Sequence, residues 1–299
     1  MIAIDLGSNS LRMIQFDCTQ KRFTLEYEKI VKTAELLHSE GIISPAAVER
    51  ILEGFREASQ LFDFKNEACV AVTTEAMRRA VNAQDILEQI CNETGVRFEV
   101  IGAKKEAELT LLAVDKRLEG LGFRGSFLLI DIGGGSTEVI FKKGNLSESR
   151  SFPVGIVTMA SKHPSRAQLN DNLADELSEI KIYIQEYYKK EGKPDFFVAT
   201  AGTPTTIAAF TQGMSYDTYD PKRINGSTLN YYDCTDTLDK LLALSFEERA
   251  RYVGVGREDL IISGVMIFAS FFKLFDYETS VIIDDGLREG LAIWACDNT

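Results

Sequence analysis

Ile130-Asp131-Ile132-Gly133-Gly134-Gly135-Ser136-Thr137-Glu138-Val139-Ile140 is the stretch that decides the fold. The run before it, Phe127-Leu128-Leu129-Ile130, is short, apolar and free of proline, the pattern of a buried strand. Val139-Ile140-Phe141 resumes a β pattern, and Lys143-Gly144-Asn145 supplies turn residues. The stretch therefore reads as a strand, a tight glycine turn and a second strand. Gly133, Gly134 and Gly135 carry no Cβ, so the backbone there bends sharply and offers bare N–H groups to an anion. Ser136 and Thr137 add hydroxyl donors. Asp131, at the end of the first strand, is placed to reach a metal or a metal-bound water. A glycine turn taken alone also suits a hairpin that binds nothing.

A second copy stands near the N-terminus, Ile4-Asp5-Leu6-Gly7-Ser8-Asn9-Ser10-Leu11-Arg12-Met13-Ile14. Laid on the first without a gap, it puts Asp5 on Asp131, Gly7 on Gly133 and Ser10 on Ser136, while Arg12 falls on Glu138. A later pair agrees at nearly the same offset: Val70–Thr74 resembles Val198–Thr203, and each precedes a helix-like segment. Two copies of one unit, too long for a solenoid repeat, imply two similar lobes with a cleft lined by both turns.

These residues carry a resemblance. Asp5–Ser10 and Asp131–Glu138 resemble the two phosphate motifs of the exopolyphosphatase/guanosine pentaphosphate phosphohydrolase (Ppx/GppA) family, within the actin-like, sugar-kinase and heat-shock ATPase superfamily. Thr74–Asn82 resembles the family's Ala-x-Arg-x-Ala-x-Asn stretch, Ala201-Gly202-Thr203 its Gly-Gly-Thr turn, and Asp285–Leu291 its C-terminal signature. The resemblance implies an α/β fold of two similar actin-like (ribonuclease H-like) lobes with an interlobe active-site cleft. The lobes are expected at 1–121 and 122–286, with a last helix, 287–299, packing back on the first. The glycine-rich stretch Gly120–Gly125 serves as linker, and the C-terminal helical domain of longer members is absent.

The same resemblance implies a Mg²⁺-assisted hydrolase that releases terminal phosphate from inorganic polyphosphate or guanosine pentaphosphate. Glu106 falls on the catalytic base, with Glu138 as second carboxylate. Lys105 replaces a family Glu, and Gly102-Ala103 replace a Ser-Gly pair. Gly7, Ser8, Asn9, Ser10, Arg12, Arg78, Gly133, Gly134, Gly135, Ser136, Thr137, Gly202 and Thr203 are expected to bind substrate, and Asp5, Asp131 and Glu138 to hold Mg²⁺. Arg79, Lys104, Lys105 and Arg288 are further basic candidates. Asn225 stands where the family commonly has His, so nothing catalytic is placed there. An ATP-dependent actin-like or sugar-kinase-like protein, or a low-turnover sensor of guanosine penta- or tetraphosphate, stays open beside the hydrolase.

The formal net charge of −12 over 299 residues argues against a nucleic-acid or anionic-membrane binder. It also repels polyphosphate, so a phosphate site needs a cation and local basic residues. Cys18, Cys69, Cys91, Cys234 and Cys296 are odd in number and scattered, and they read as reduced thiols of a cytoplasmic protein. The longest apolar stretch, Leu260–Phe272, is too short to span a bilayer. Gln168–Lys190 reads as one long helix, and a homodimer is left open.

Overall fold

A computed structural model describes residues 1–298; Thr299, assigned by sequence to the last helix, lies outside the described residues. The chain forms two compact units, Met1–Val114 together with the C-terminal stretch from Asp285, and Asp115–Asp284. The first contains β1 (Ile2–Leu6), β2 (Ser10–Asp17), β3 (Arg22–Ile30), α1 (Leu37–Glu40), α2 (Pro45–Ala58), β4 (Cys69–Thr73), α3 (Glu75–Arg79), α4 (Ala83–Thr94), β5 (Phe98–Val100) and the start of α5 (Ala103–Gly120). The second contains β6 (Phe127–Ile132), β7 (Thr137–Lys143), β8 (Leu146–Phe152), α6 (Ile156–Lys162), α7 (Arg166–Glu176), α8 (Ser178–Glu191), β9 (Phe196–Thr200), α9 (Gly202–Thr211), α10 (Pro221–Ile224), β10 (Ser227–Asn230), α11 (Tyr231–Ala243), α12 (Phe246–Val253), α13 (Leu260–Phe275) and β11 (Thr279–Ile282). The last helix, α14 (Leu287–Asp297), packs on β1, β2 and β4 of the first unit. The division falls within α5, not at the glycine-rich stretch after it, because the helix runs unbroken to Gly120.

Both sheets repeat one plan. The first has the order β3-β2-β1-β4-β5 and the second β10-β11-β9-β6-β7-β8. In each, an antiparallel three-strand meander is joined through its first strand to a parallel neighbour, β1 to β4 and β6 to β9. The central strands Ile2–Leu6 and Phe127–Ile132 are apolar nearly throughout, as strands covered on both faces must be. The edge strand β8 carries Glu148 and Arg150 and is mostly exposed, which discourages pairing with another chain. Because β1, β4 and β5 are parallel, the turn after Leu6, helix α3 and the start of α5 all leave the same end of the sheet. The carboxyl end of such strands is where α/β sheets gather ligand groups.

Two expectations are corrected. Gln168–Lys190 is two helices that meet at Leu177, where the Leu177 N–H donates to the Leu173 carbonyl at 3.0 Å and the Ser178 hydroxyl to the Asp175 carbonyl at 2.6 Å. The cysteines are not all reduced: Cys18, just after β2, is disulfide-bonded to Cys296 in α14, with Cα atoms 5.6 Å apart. A separation of 278 residues hides that pairing from sequence. Cys69, Cys91 and Cys234 are free, and burial pushes the Cys69 thiol up to about 11 and Cys234 up to about 12. Among the described residues no helix is long and apolar enough to cross a membrane.

Gly290 sets the fit of α14 on α5: a Cβ there would lie 1.8 Å from the Leu109 carbonyl oxygen. Ala201 is strained in a different way. It precedes α9 at φ 75, ψ 179, a conformation that glycine adopts easily and a Cβ resists.

Two outcomes are expected. Reducing Cys18–Cys296 costs about 2–4 kcal/mol and lowers the melting temperature by several degrees; a Cys18→Ser protein melts at that lower temperature with or without reductant. Ala201→Gly relieves about 1–3 kcal/mol of strain against about 0.5–1 kcal/mol of added chain entropy, so its urea midpoint rises.

Candidate active site

The glycine turn Gly133–Ser136 is closed by the Gly133 N–H donating to the Ser136 carbonyl at 2.9 Å. Its outer carbonyls are all taken from one side. The Ile156 N–H bonds the Gly133 carbonyl (3.0 Å), the Val157 N–H bonds that of Gly134 (2.8 Å), and the Thr158 hydroxyl bonds that of Gly135 (2.9 Å). A trans peptide points its N–H opposite to its C=O. The N–H groups of Gly134, Gly135 and Ser136 therefore face away from α6, as a row of donors for an anion. Gly155 makes the approach feasible, since a Cβ on it would lie 2.3 Å from the Gly134 carbonyl oxygen.

The first turn repeats the arrangement with a different support. The Gly7 N–H donates to the Ser10 carbonyl at 3.0 Å. The Ser8 carbonyl accepts from Ala34 N–H, and the Asn9 carbonyl from the N–H groups of Val31 and Lys32. The N–H groups of Asn9 and Ser10 are thereby turned away from the 31–34 segment.

Sheet register lines up charged residues beside each turn. In the first unit Asp5 lies opposite Arg12, and Arg12 opposite Glu28. Arg12 Nε donates to Glu28 at 2.9 Å. Glu28 holds the Arg12 guanidinium above its ordinary pKa, against burial and repulsion from Arg288, with Asp5 helping. In the second unit Asp131 lies opposite Glu138, and Glu138 opposite Ser151. Glu138 Oε1 accepts from the Ser136 hydroxyl (2.8 Å) and the Ser151 hydroxyl (2.7 Å). Glu138 is 2% exposed, so these bonds fix its carboxylate where water is nearly excluded.

Glu106 sits in the first turn of α5, 9% exposed. Arg78 Nη1 donates to it at 2.9 Å and to the Ile101 carbonyl at 2.8 Å. The other edge of the guanidinium, Nε and Nη2, is held by Glu75 Oε2 at 3.3 and 2.9 Å. Burial pulls the Arg78 pKa down, but Glu106 and Glu75 outweigh it and leave the pKa raised.

The structure thus joins Arg78 to Glu106 directly and sets Asp5 and Gly7–Ser10 at the same end of the first sheet. In the second unit it sets Asp131, Gly133–Ser136 and Glu138 beside Gly202 and Thr203, since Asp131 pairs with Thr200 at the end of β9. Several of the expected side chains bond within the protein. The Thr137 hydroxyl, fully buried, donates to the Val154 carbonyl and is spent on the fold. The Ser136 hydroxyl orients Glu138, and the Arg78 fork holds Glu106 and Glu75. Lys105 lies over the Trp294 ring of α14, 4.1 Å from its centroid, a cation–π contact. Lys104 is 88% exposed, Arg79 pairs with Glu75, and Arg288 pairs with Glu26 and Glu289.

Glu28, Glu75, Ser151 and Gly155 have places in this geometry that sequence reasoning missed. Strand register from the repeat could have found Glu28 and Ser151, each one strand further along the row; nothing local singles out Glu75 or Gly155.

Among the described residues no group of three or more His, Cys, Asp or Glu is arranged to hold a metal. Mg²⁺ asks for less, commonly one or two carboxylates plus substrate phosphates and water. The opposed Asp131 and Glu138 meet that need. In the first unit Asn9 Oδ1 is a buried acceptor without a hydrogen-bond partner, an oxygen suited to a cation or a donating ligand. The residues present fit the ion.

Exopolyphosphatase 1 of Mycobacterium leprae is 28% identical over 99% of this chain and 89% of its own. The solved Ppx/GppA enzyme of Aquifex aeolicus is 31% identical over 98% of each chain, with a TM-score of 0.72. An exopolyphosphatase structure from Cytophaga hutchinsonii, 20% identical, shares the fold with a TM-score of 0.85 over 99% of this chain and 97% of its own. The model of the Ppx/GppA phosphatase family matches residues 20–297, and the chain belongs to that family.

Proposed function

We propose that the protein hydrolyses the terminal phosphoanhydride bond of inorganic polyphosphate or guanosine pentaphosphate. The observation that carries this reading is the row of outward N–H groups at Gly134–Ser136, with its counterpart at Asn9–Ser10. Such donors bind phosphate oxygens without a formal charge, which suits a chain of net charge −12. Gly202 and Thr203 add the N-terminal end of α9, a further anion-binding feature.

Glu106 takes the proton of the attacking water, and Arg78 aligns its carboxylate. Arg12, partly buried beside the first turn, offsets negative charge on the substrate. Asp131 and Glu138 would hold Mg²⁺, with Asp5 as the matching carboxylate of the first unit. When bound, the ion neutralises charge on the phosphoryl oxygens. Ser136 and Ser151 keep the Glu138 carboxylate oriented for that task. Phosphoryl transfer depends on positioning and charge stabilisation more than on covalent chemistry, so these parts suffice.

The test is phosphate release from long-chain polyphosphate and guanosine pentaphosphate, side by side, with and without Mg²⁺. Mg²⁺-dependent release is expected, reduced about 10²–10⁴-fold in Glu106→Gln. Wild-type turnover by a folded Glu106→Gln protein would reject the assignment, and ATP turnover with neither substrate cleaved would favour the kinase-like reading. In a separate measurement, Gly155→Ala forces the turn and α6 apart. Its affinity for a non-hydrolysable polyphosphate analogue is expected to fall at least tenfold, to the extent of about 1.4 kcal/mol.

A further inference from the structure

Arg78 is held at both edges. Glu75 Oε2 accepts from Nε and Nη2, while Nη1 is shared between the Ile101 carbonyl and Glu106 Oε2. The first contact ties Arg78 back to its own helix, α3, and the second reaches the junction of β5 and α5. That junction is fixed in turn, because the Ile101 N–H donates to the Thr73 carbonyl at the end of β4. The Thr73 hydroxyl donates to the Leu6 carbonyl at the start of the first phosphate turn. The guanidinium therefore bridges α3 to the segment that launches the catalytic helix.

We propose that Glu75 is a positioning residue for the hydrolysis: it fixes the Arg78 guanidinium so that Nη1 aligns Glu106. This rests on the reading of Glu106 as the base. A guanidinium gripped on one edge by a carboxylate presents its remaining donors, those of Nη1 among them, in set directions, because the group is planar. Without Glu75 the side chain regains rotamer freedom, and the two N–H bonds of Nη1 no longer reach the Ile101 carbonyl and the Glu106 carboxylate in one fixed direction. Charge acts in the same sense. Glu75, which also pairs with Arg79, shares the Arg78 cation with Glu106, so removing Glu75 leaves the whole charge of Arg78 on Glu106 and draws the carboxylate towards it. The side chains of Glu75, Arg78 and Glu106 are 18%, 19% and 12% exposed, so water screens this trio far less than a surface pair.

The experiment measures steady-state phosphate release by Glu75→Ala, Glu75→Gln and Glu75→Asp, alone and in an Arg78→Ala background, with Glu106→Gln alongside and thermal melts of each protein. A positioning role predicts that Glu75→Ala lowers kcat about tenfold to a hundredfold with KM within about twofold. Glu75→Gln, which keeps the shape and removes the charge, falls between it and wild type, and Glu75→Asp restores part of the loss. In the Arg78→Ala background the Glu75 substitutions have no further effect, because their target is gone. If Glu75→Ala fails to fold, the same comparison is made with Glu75→Gln. Unchanged kcat in both variants, or a loss that persists without Arg78, overturns the positioning role. If that happens while Glu106→Gln is inactive, the base reading stands and only Glu75 is excluded. Wild-type turnover by Glu106→Gln removes the base reading, and the role of Glu75 with it.

Discussion

In a trans peptide the direction of each carbonyl dictates the direction of the N–H that follows, and both phosphate turns depend on that constraint. At Gly133–Ser136 the carbonyls are drawn inward by Ile156, Val157 and Thr158 at the start of α6. At Gly7–Ser10 the segment Val31–Ala34 does the same work from backbone N–H groups alone. Two unrelated supports reach one result, a turn whose unused donors face away from its own support. Gly155 is needed at Gly133–Ser136 because the support there is a helix start pressed directly on the turn.

Around these turns the sheets place charge by register. Residues directly opposite on neighbouring antiparallel strands share a face, so one position on each of three strands makes a row. The first unit fills its row with Asp5, Arg12 and Glu28, the second with Asp131, Glu138 and Ser151. The same geometry thus yields a row with one arginine between two carboxylates and an acidic row held by hydroxyls. In the proposed hydrolysis the arginine would meet anionic oxygens and the carboxylates would hold a metal. The proposed base, Glu106, comes from elsewhere, from the first turn of α5, and is bonded to α3 through Arg78.

Helix packing connects that base to the end of the chain. Gly290 lets α14 close on the Leu109 carbonyl of α5, and Lys105, next to Glu106, lies over Trp294 of the same helix. The Lys105 ammonium thus rests on an aromatic face of α14. Cys18–Cys296 anchors the far end of α14 to the end of β2.

The sequence by itself determined the two-fold repeat, the α/β class, the family, the glycine turns and the position of Glu106. These are legible because they are local: a strand–turn–strand pattern and a helix start are written in consecutive residues, and the second copy doubles the signal. The tertiary structure alone decided where side chains spend their donors. Thr137 and Ser136 look alike as hydroxyls in a phosphate turn, yet one bonds the Val154 carbonyl and the other Glu138. Arg78 looks like a phosphate fork, yet Glu75 and Glu106 hold it. Cys18 and Cys296 look like isolated thiols. In each case the partner lies on another element, brought near by strand register or helix packing, and no short-range pattern encodes which group will arrive there.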